Sequence, residues 1–206
     1  MFGDINLQDI IIRTIAVLVA IIPHEMAHGY AAYLCGDETA KNDGRLSLNP
    51  LHHLDPIGTI CLIFFKFGWA KPVMINPNNF RDRKKGTFFV SIAGVLTNFI
   101  SAIISVIIMK HIRLNDFVFE LFMNIFWFNI VLGVFNLIPI PPLDGSKLLF
   151  SFLPPKYEYY LIKYEKYGYI LLLLLIMTDN LDKILIPMVN FMINLIGKIV
   201  WCITLK

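Results

Sequence analysis

Apolar residues run in long blocks separated by short polar breaks, and the block lengths decide the fold class before any motif is considered. Thr87 to Met109 and Leu121 to Leu143 contain no Asp, Glu, Lys or Arg. Wound as helix, each is long enough to cross a hydrocarbon core ~30 Å thick. A further block, about Leu7 to Leu34, is interrupted by Arg13 and by a polar group at Pro23 to His28. Between Cys35 and Asp55 the chain turns polar, with Gly36, Gly44, Asn49 and Pro50 as breakers, and reads as a loop. Ile57 to Phe65 is apolar but too short to span as helix, so it reads as a re-entrant or membrane-surface piece. Trp69 to Asn76 is bounded and interrupted by prolines and reads as a short extended or β segment. Beyond Tyr167, apolar stretches on either side of Asp179 to Lys183 suggest a C-terminal helical hairpin at about 159–204. The pattern predicts an all-α polytopic membrane protein with about five membrane segments and a short re-entrant or extended β segment between the first and second core helices. It forms a single membrane-embedded domain over 1–206, with its core at 7–149.

Composition agrees. The chain is 57% hydrophobic and 16% charged, with a mean hydropathy of +0.66, whereas soluble domains carry roughly a quarter charged residues. The net charge of +3 comes without a basic surface interleaved with aromatics, which argues against nucleic acid as a partner. Cys35, Cys61 and Cys202 are odd in number and far apart, suggesting neither a disulfide framework nor a thiolate metal site. Met1 to Asp9 has acids but no base before the apolar run, the wrong flank for a cleaved signal peptide, so the first helix is expected to stay.

Charge also orients the chain. Arg81, Arg83, Lys84 and Lys85 place the start of the 87–109 helix in the cytoplasm by the positive-inside rule. Lys147, Lys156, Lys163 and Lys166 follow the 121–143 helix, and Lys41 and Arg45 follow the first, so both run inward. The cluster Lys110, His111 and Arg113 on the outer side is discordant.

Polar groups at membrane depth are costly and usually functional. His24-Glu25-Met26-Ala27-His28 fits H-E-x-x-H. On a helix the two imidazoles lie a turn apart on one face and can bind one Zn2+, while Glu25 sits beside the metal to hold an attacking water. Two imidazoles and a carboxylate in an apolar helix need compensation, and a metal provides it. Catalytic zinc usually takes three protein ligands. The candidates for the third are His52, His53, Asp55, His111, Asp144 and the C-terminal acids. Asp144 stands out: it lies at the inner end of the 121–143 block, on the side nearest the two histidines, and the prolines before it present it from an irregular, rigid segment.

These residues together resemble the site-2 proteases, the intramembrane zinc metalloprotease family, and in particular its short bacterial branch without a PDZ or CBS domain. The matching stretches are PHEMAHGYAAYLCGDETAKNDGRLSLNPLHHLDPIGTI, FGWAKPVMINPNNFRDRKKG, SIAGVLTN and FNLIPIPPLDGSKLL, covering 23–149 almost continuously. The resemblance implies that His24, His28 and Asp144 are zinc ligands and Glu25 the catalytic acid/base. It further implies that Asn98 and Asn136 are polar groups near the active site that orient substrate backbone or an oxyanion; read without it, both suit interhelical hydrogen bonding. His53 also matches the family and reads as a structural histidine beside Asp55. Val95 and Met74 stand where relatives usually carry proline.

The expected function is therefore an intramembrane zinc metalloprotease that hydrolyses a peptide bond in or near a transmembrane segment of another protein. Glu25 takes a proton from the attacking water and later delivers it to the leaving amine. The implied partners are a transmembrane substrate and the lipid bilayer, with a homo-oligomer left open. The implied location is the bacterial cell membrane, with the active site nearer the cytoplasm. The competing class is a zinc-binding membrane protein that transports metal or regulates partners without cleavage. Transport favours a ladder of ligands along a pore, which the sequence lacks. Cleaving a helix requires unwinding it first, and Val73 to Asn76 reads either as a strand edge that captures the unwound segment by β-addition or as a connector that packs on the helices.

Overall fold

A computed structural model describes residues 7–53, 55, 58, 71–154 and 156–204. The expected re-entrant stretch at Ile57 to Phe65 lies, apart from Gly58, outside the described residues. Helix α1 (Leu7–Cys35) runs unbroken through Pro23, which removes one backbone donor without ending the helix. It stops at Gly36, whose φ of 110° only glycine adopts freely. The single-turn α2 (Thr39–Asn42) and a 3-10 turn at Pro50–His52 follow. Residues 71–76 are extended but pair with no strand among the described residues, so a β segment is not seen there.

Helix α3 (Arg83–His111) opens with the Asp82 carboxylate accepting from the Lys85 N–H at 3.0 Å. Helix α4 (Asp116–Asn136) opens with Asn115 accepting from the Val118 N–H at 2.9 Å. Both starts are ordinary side-chain caps. The block expected as a helix over 121–143 does not wind as one. It begins earlier, at Asp116, and ends at Asn136, because Pro139, Pro141 and Pro142 lack the N–H groups that would continue it. The turn that follows contains a cis Pro141-Pro142 bond and leads into α5 (Asp144–Ser151). Helices α6 (Lys156–Met177) and α7 (Asn180–Thr204) complete the chain, joined at Thr178 and Asp179. Among the described residues four helices, α1, α3, α4 and α7, are long and apolar enough to cross a membrane, where about five segments were expected. The N-terminal half of α6 is too rich in Tyr, Lys and Glu to qualify.

The core is the α1, α3 and α4 trio. Its packing follows rows of every fourth residue: Ala16, Ala20, His24, His28 and Ala32 on α1, Gly86, Val90, Gly94, Asn98 and Ala102 on α3, and Ile125, Asn129 and Gly133 on α4, all buried. In lipid there is little hydrophobic drive between helices, so close approach of small residues and interhelical hydrogen bonds hold them together. The polar members of these rows stand where the three helices meet.

Candidate metal centre

His24 and His28 project from adjacent turns of α1 with their rings edge to face, centroids 4.5 Å apart. Each ring is fixed from behind. The His24 Nδ1–H donates to Asn98 Oδ1 at 2.7 Å, and the His28 Nδ1–H donates to the Val90 carbonyl at 2.7 Å. With both Nδ1 atoms carrying the protons, both Nε2 atoms present lone pairs to the front. These Nε2 atoms lie 2.9 Å apart, and Asp144 Oδ2 lies 3.3 Å from the first and 2.9 Å from the second. Asp144, the first residue of α5, reaches them from the end of the proline turn. Its close approach to α4 depends on the next residue, since a Cβ on Gly145 would collide with the Leu137 carbonyl.

Three acceptors thus converge with no hydrogen among them, and Asp144 Oδ2 is buried without a hydrogen-bond partner. Such an arrangement is repulsive unless a cation sits between. Ligand atoms about 2.0 Å from one tetrahedral ion stand roughly 3.3 Å apart, close to the separations here. His24, His28 and Asp144 are the group of His, Cys, Asp and Glu side chains, among the described residues, that could hold a metal ion. The donor set and the orphaned oxygen fit zinc.

Glu25 stands outside that group. Its Oε2 accepts from the Val73 N–H at 3.0 Å, so the extended segment 71–76 crosses directly over the glutamate. The same segment is pinned further along by Asp37, a fully buried carboxylate just beyond α1. Asp37 accepts from the Asn76 N–H at 2.7 Å, from Asn79 Nδ2 at 2.8 Å and from the Thr39 hydroxyl at 2.5 Å. Burial pushes the Asp37 pKa up, but these donors outweigh it and hold the carboxyl below its ordinary value.

A cavity of about 660 Å³ opens over the histidines and is lined by Glu25, Val73, Asn136 and Asp144 among others. Asn136 is therefore beside the centre, with its Nδ2 returned to the Leu132 carbonyl of its own helix at 3.1 Å. Asn98 is not part of that wall; it lies behind His24, fully buried. Of the other candidates for the third ligand, Glu165 among the C-terminal acids lines the cavity, while His52, His53, Asp55 and His111 are elsewhere. His53 is buried with Nε2–H donating to the Ser47 carbonyl at 2.7 Å. His52 is exposed and faces the Gly44 carbonyl, Asp55 accepts from the Gly58 N–H, and His111 caps the far end of α3.

Sequence reasoning passed over several residues of the centre. Gly94 leaves room for both imidazoles: a Cβ there would lie 2.5 Å from His28 Nε2 and 2.6 Å from His24 Cε1. Asn129 contacts Asn98. Lys147 brings Nζ to 3.9 Å from Asp144 Oδ1, and Glu165 and Tyr169 of α6 line the cavity. Gly94 and Asn129 carried a readable signal, the every-fourth-residue rows they share with Asn98 and Gly133; Glu165 was legible only as one of several C-terminal acids, and Tyr169 carried no signal.

A bundle of long apolar helices that buries two histidines and an aspartate, with a half-buried glutamate beside them, has the anatomy of a membrane-embedded metalloenzyme. The sequence signature of Peptidase family M50 matches residues 107–177. YwhC of Bacillus subtilis, provisionally named as a zinc metalloprotease, is 38% identical over 189 residues, covering 85% of this chain and 84% of its own. Rip2 of Mycolicibacterium smegmatis, also provisionally named as a zinc metalloprotease, is 27% identical over 194 residues, covering 87% of this chain and 72% of its own. The zinc metalloprotease MJ0392 of Methanocaldococcus jannaschii is 28% identical over 145 residues, covering 70% of this chain and 35% of its own. No solved structure gives a significant match. The chain belongs to peptidase family M50, the site-2 protease family of intramembrane zinc metalloproteases.

Proposed function

We propose that His24, His28 and Asp144 hold one zinc ion per chain and that Glu25 is the general base and acid of peptide hydrolysis in a transmembrane substrate. The observation that carries this reading is the convergence of three buried, proton-free acceptors on one point, with Glu25 beside them and outside the set. When bound, the metal supplies Lewis-acid polarisation of a carbonyl and makes water nucleophilic at neutral pH. Glu25 accepts the proton of the attacking water and passes it to the leaving nitrogen; the Val73 N–H holds Oε2 and leaves the other oxygen free to do so. Asn136, in the cavity wall, orients substrate backbone or the developing oxyanion. A non-proteolytic zinc protein has no use for a glutamate so placed.

The segment Val73 to Asn76 offers an edge to an unwound substrate. Its Met74 and Ile75 N–H groups have no partner among the described residues, while Val73 and Asn76 donate inward. The domain spans 1–206, sits in the bacterial cell membrane and carries its centre toward the cytoplasmic face. Glu25→Gln is expected to abolish cleavage of a tagged single-span substrate yet retain about one zinc per chain by metal analysis, because Glu25 is not a ligand. Cleavage by the purified variant at a rate comparable to wild type would refute the role given to Glu25.

A further inference from the structure

Behind His24 runs a chain of amides whose direction is fixed at both backbone ends. Asn129 Nδ2 donates to the Ile125 carbonyl at 2.8 Å, so its Oδ1 faces the other way and accepts from Asn98 Nδ2 at 2.9 Å. The second hydrogen of Asn98 Nδ2 goes to the Ala20 carbonyl of α1 at 2.9 Å. That leaves Asn98 Oδ1 to accept from His24 Nδ1 at 2.7 Å. Backbone carbonyls can only accept. Flipping Asn98 would set its oxygen against the Ala20 carbonyl and Asn129 Oδ1, and flipping Asn129 would set its oxygen against the Ile125 carbonyl. Both amides are fully buried in the membrane interior, where an unpaired group finds no water. Every hydrogen-bonding site on the Asn98 amide nitrogen is used, and one polarity of the chain satisfies all members.

We propose that Asn129 is a positioning residue for the metal centre: acting through Asn98, it fixes the His24 ring with Nδ1 protonated and Nε2 free for the metal. The proposal rests on the reading of His24 as a ligand. Groups behind a ligating histidine orient it and raise its affinity, and losing one weakens metal binding by about 10- to 100-fold. A side chain that only glued α4 to α3 would change stability and leave zinc affinity alone.

The test measures the zinc dissociation constant of the full chain in detergent by chelator competition, with the absorption spectrum of the Co2+-loaded protein as a second reading and thermal unfolding of the metal-free protein as a control. Asn129→Leu removes the acceptor and is expected to weaken zinc about 10- to 100-fold. Asn129→Asp, neutral when buried, keeps an acceptor for Asn98 and a donor for Ile125, and is expected to bind within about threefold of wild type. Adding Asn129→Leu to Asn98→Leu should weaken zinc no further, because the path to His24 is already cut. Wild-type affinity and Co2+ spectrum in Asn129→Leu, equal losses in Asn129→Leu and Asn129→Asp, or multiplying losses in the double variant would each overturn the proposal. His24→Ala separates the two readings. If it loses zinc while Asn129→Leu does not, the relay fails alone; if it keeps zinc, the ligand assignment fails with it.

Discussion

Gly94 faces the His24 and His28 rings, and any side chain there would run into them. An alanine methyl there would meet His28 Nε2 at 2.5 Å and His24 Nδ1 at 2.7 Å, distances at which the rings must move. Moving His24 also breaks its bond to Asn98. Gly94→Ala is therefore expected to lower zinc affinity about tenfold or more, with helix content by circular dichroism unchanged because alanine favours helix. Wild-type zinc retention during dialysis against a chelator would show that the rings tolerate the methyl. At this scale the sequence is informative where chemistry forces a rare spacing, as in H-E-x-x-H. It is silent where a residue matters for what it lacks: glycine in a membrane helix is common, and only the position of Gly94 four residues before Asn98, facing the histidine row, marks it.

The segment from Lys71 to Phe80 shows the same limit for elements. Its prolines made extended chain legible, but nothing in its own sequence says that its Val73 N–H would rest on Glu25 or that Asp37, far away in the chain, would anchor Asn76 and Asn79. Two consequences follow. Ile75→Pro deletes an N–H that has no partner among the described residues, so turnover should drop strongly while zinc content stays near wild type, and Ile75→Val, which keeps the N–H, should cleave normally. Equal turnover by Ile75→Pro and wild type would remove the edge-pairing proposal. Asp37→Ala frees the segment without touching a metal-facing atom, and should lower turnover through loss of the Val73 contact, again with zinc retained. The Asp37 carboxyl lies below its ordinary pKa in the fold, so its contribution to stability is present above the unfolded value of about 4 and is lost as pH falls through the lower folded value. The acid side of a thermal-stability profile should flatten in Asp37→Ala; an unchanged profile would mean that the carboxylate is compensated elsewhere.

The whole molecule adds a direction that block lengths could not supply. Helix α3 has 29 residues, which at 1.5 Å each is about 44 Å, as long as a bilayer of ~40–45 Å with its headgroups. Its basic ends, Arg83 to Lys85 and Lys110 to Arg113, therefore reach opposite interfaces, which accounts for the outer cluster that charge bias alone left discordant. The start of α3 lies beside the end of α5, with Lys84 Nζ donating to the Phe152 carbonyl at 3.3 Å and Phe88 against Phe152 at 5.5 Å. Helix α7 begins on that same side, because Leu181 packs with Ile138 and Leu143 near the metal centre. It ends on the other, where Lys110 Nζ sits 5.6 Å from the Trp201 ring. Helix α6 has Leu172 in that same inner cluster and a Cβ on its Gly168 would strike the Pro141 carbonyl, so α6 stays on the metal side. On this packing four crossings are expected, with α6 on the side of the His24–His28 pair and the C-terminal end of α7 on the opposite side; five crossings, the expectation from hydropathy blocks, would return that end to the first side. In a variant lacking Cys35, Cys61 and Cys202, an impermeant maleimide should label Arg113→Cys and Trp201→Cys in intact cells, and Lys84→Cys only after permeabilisation. Protection of Trp201→Cys with labelling of Arg113→Cys would restore the fifth crossing, and labelling of Lys84→Cys from outside would invert the whole arrangement.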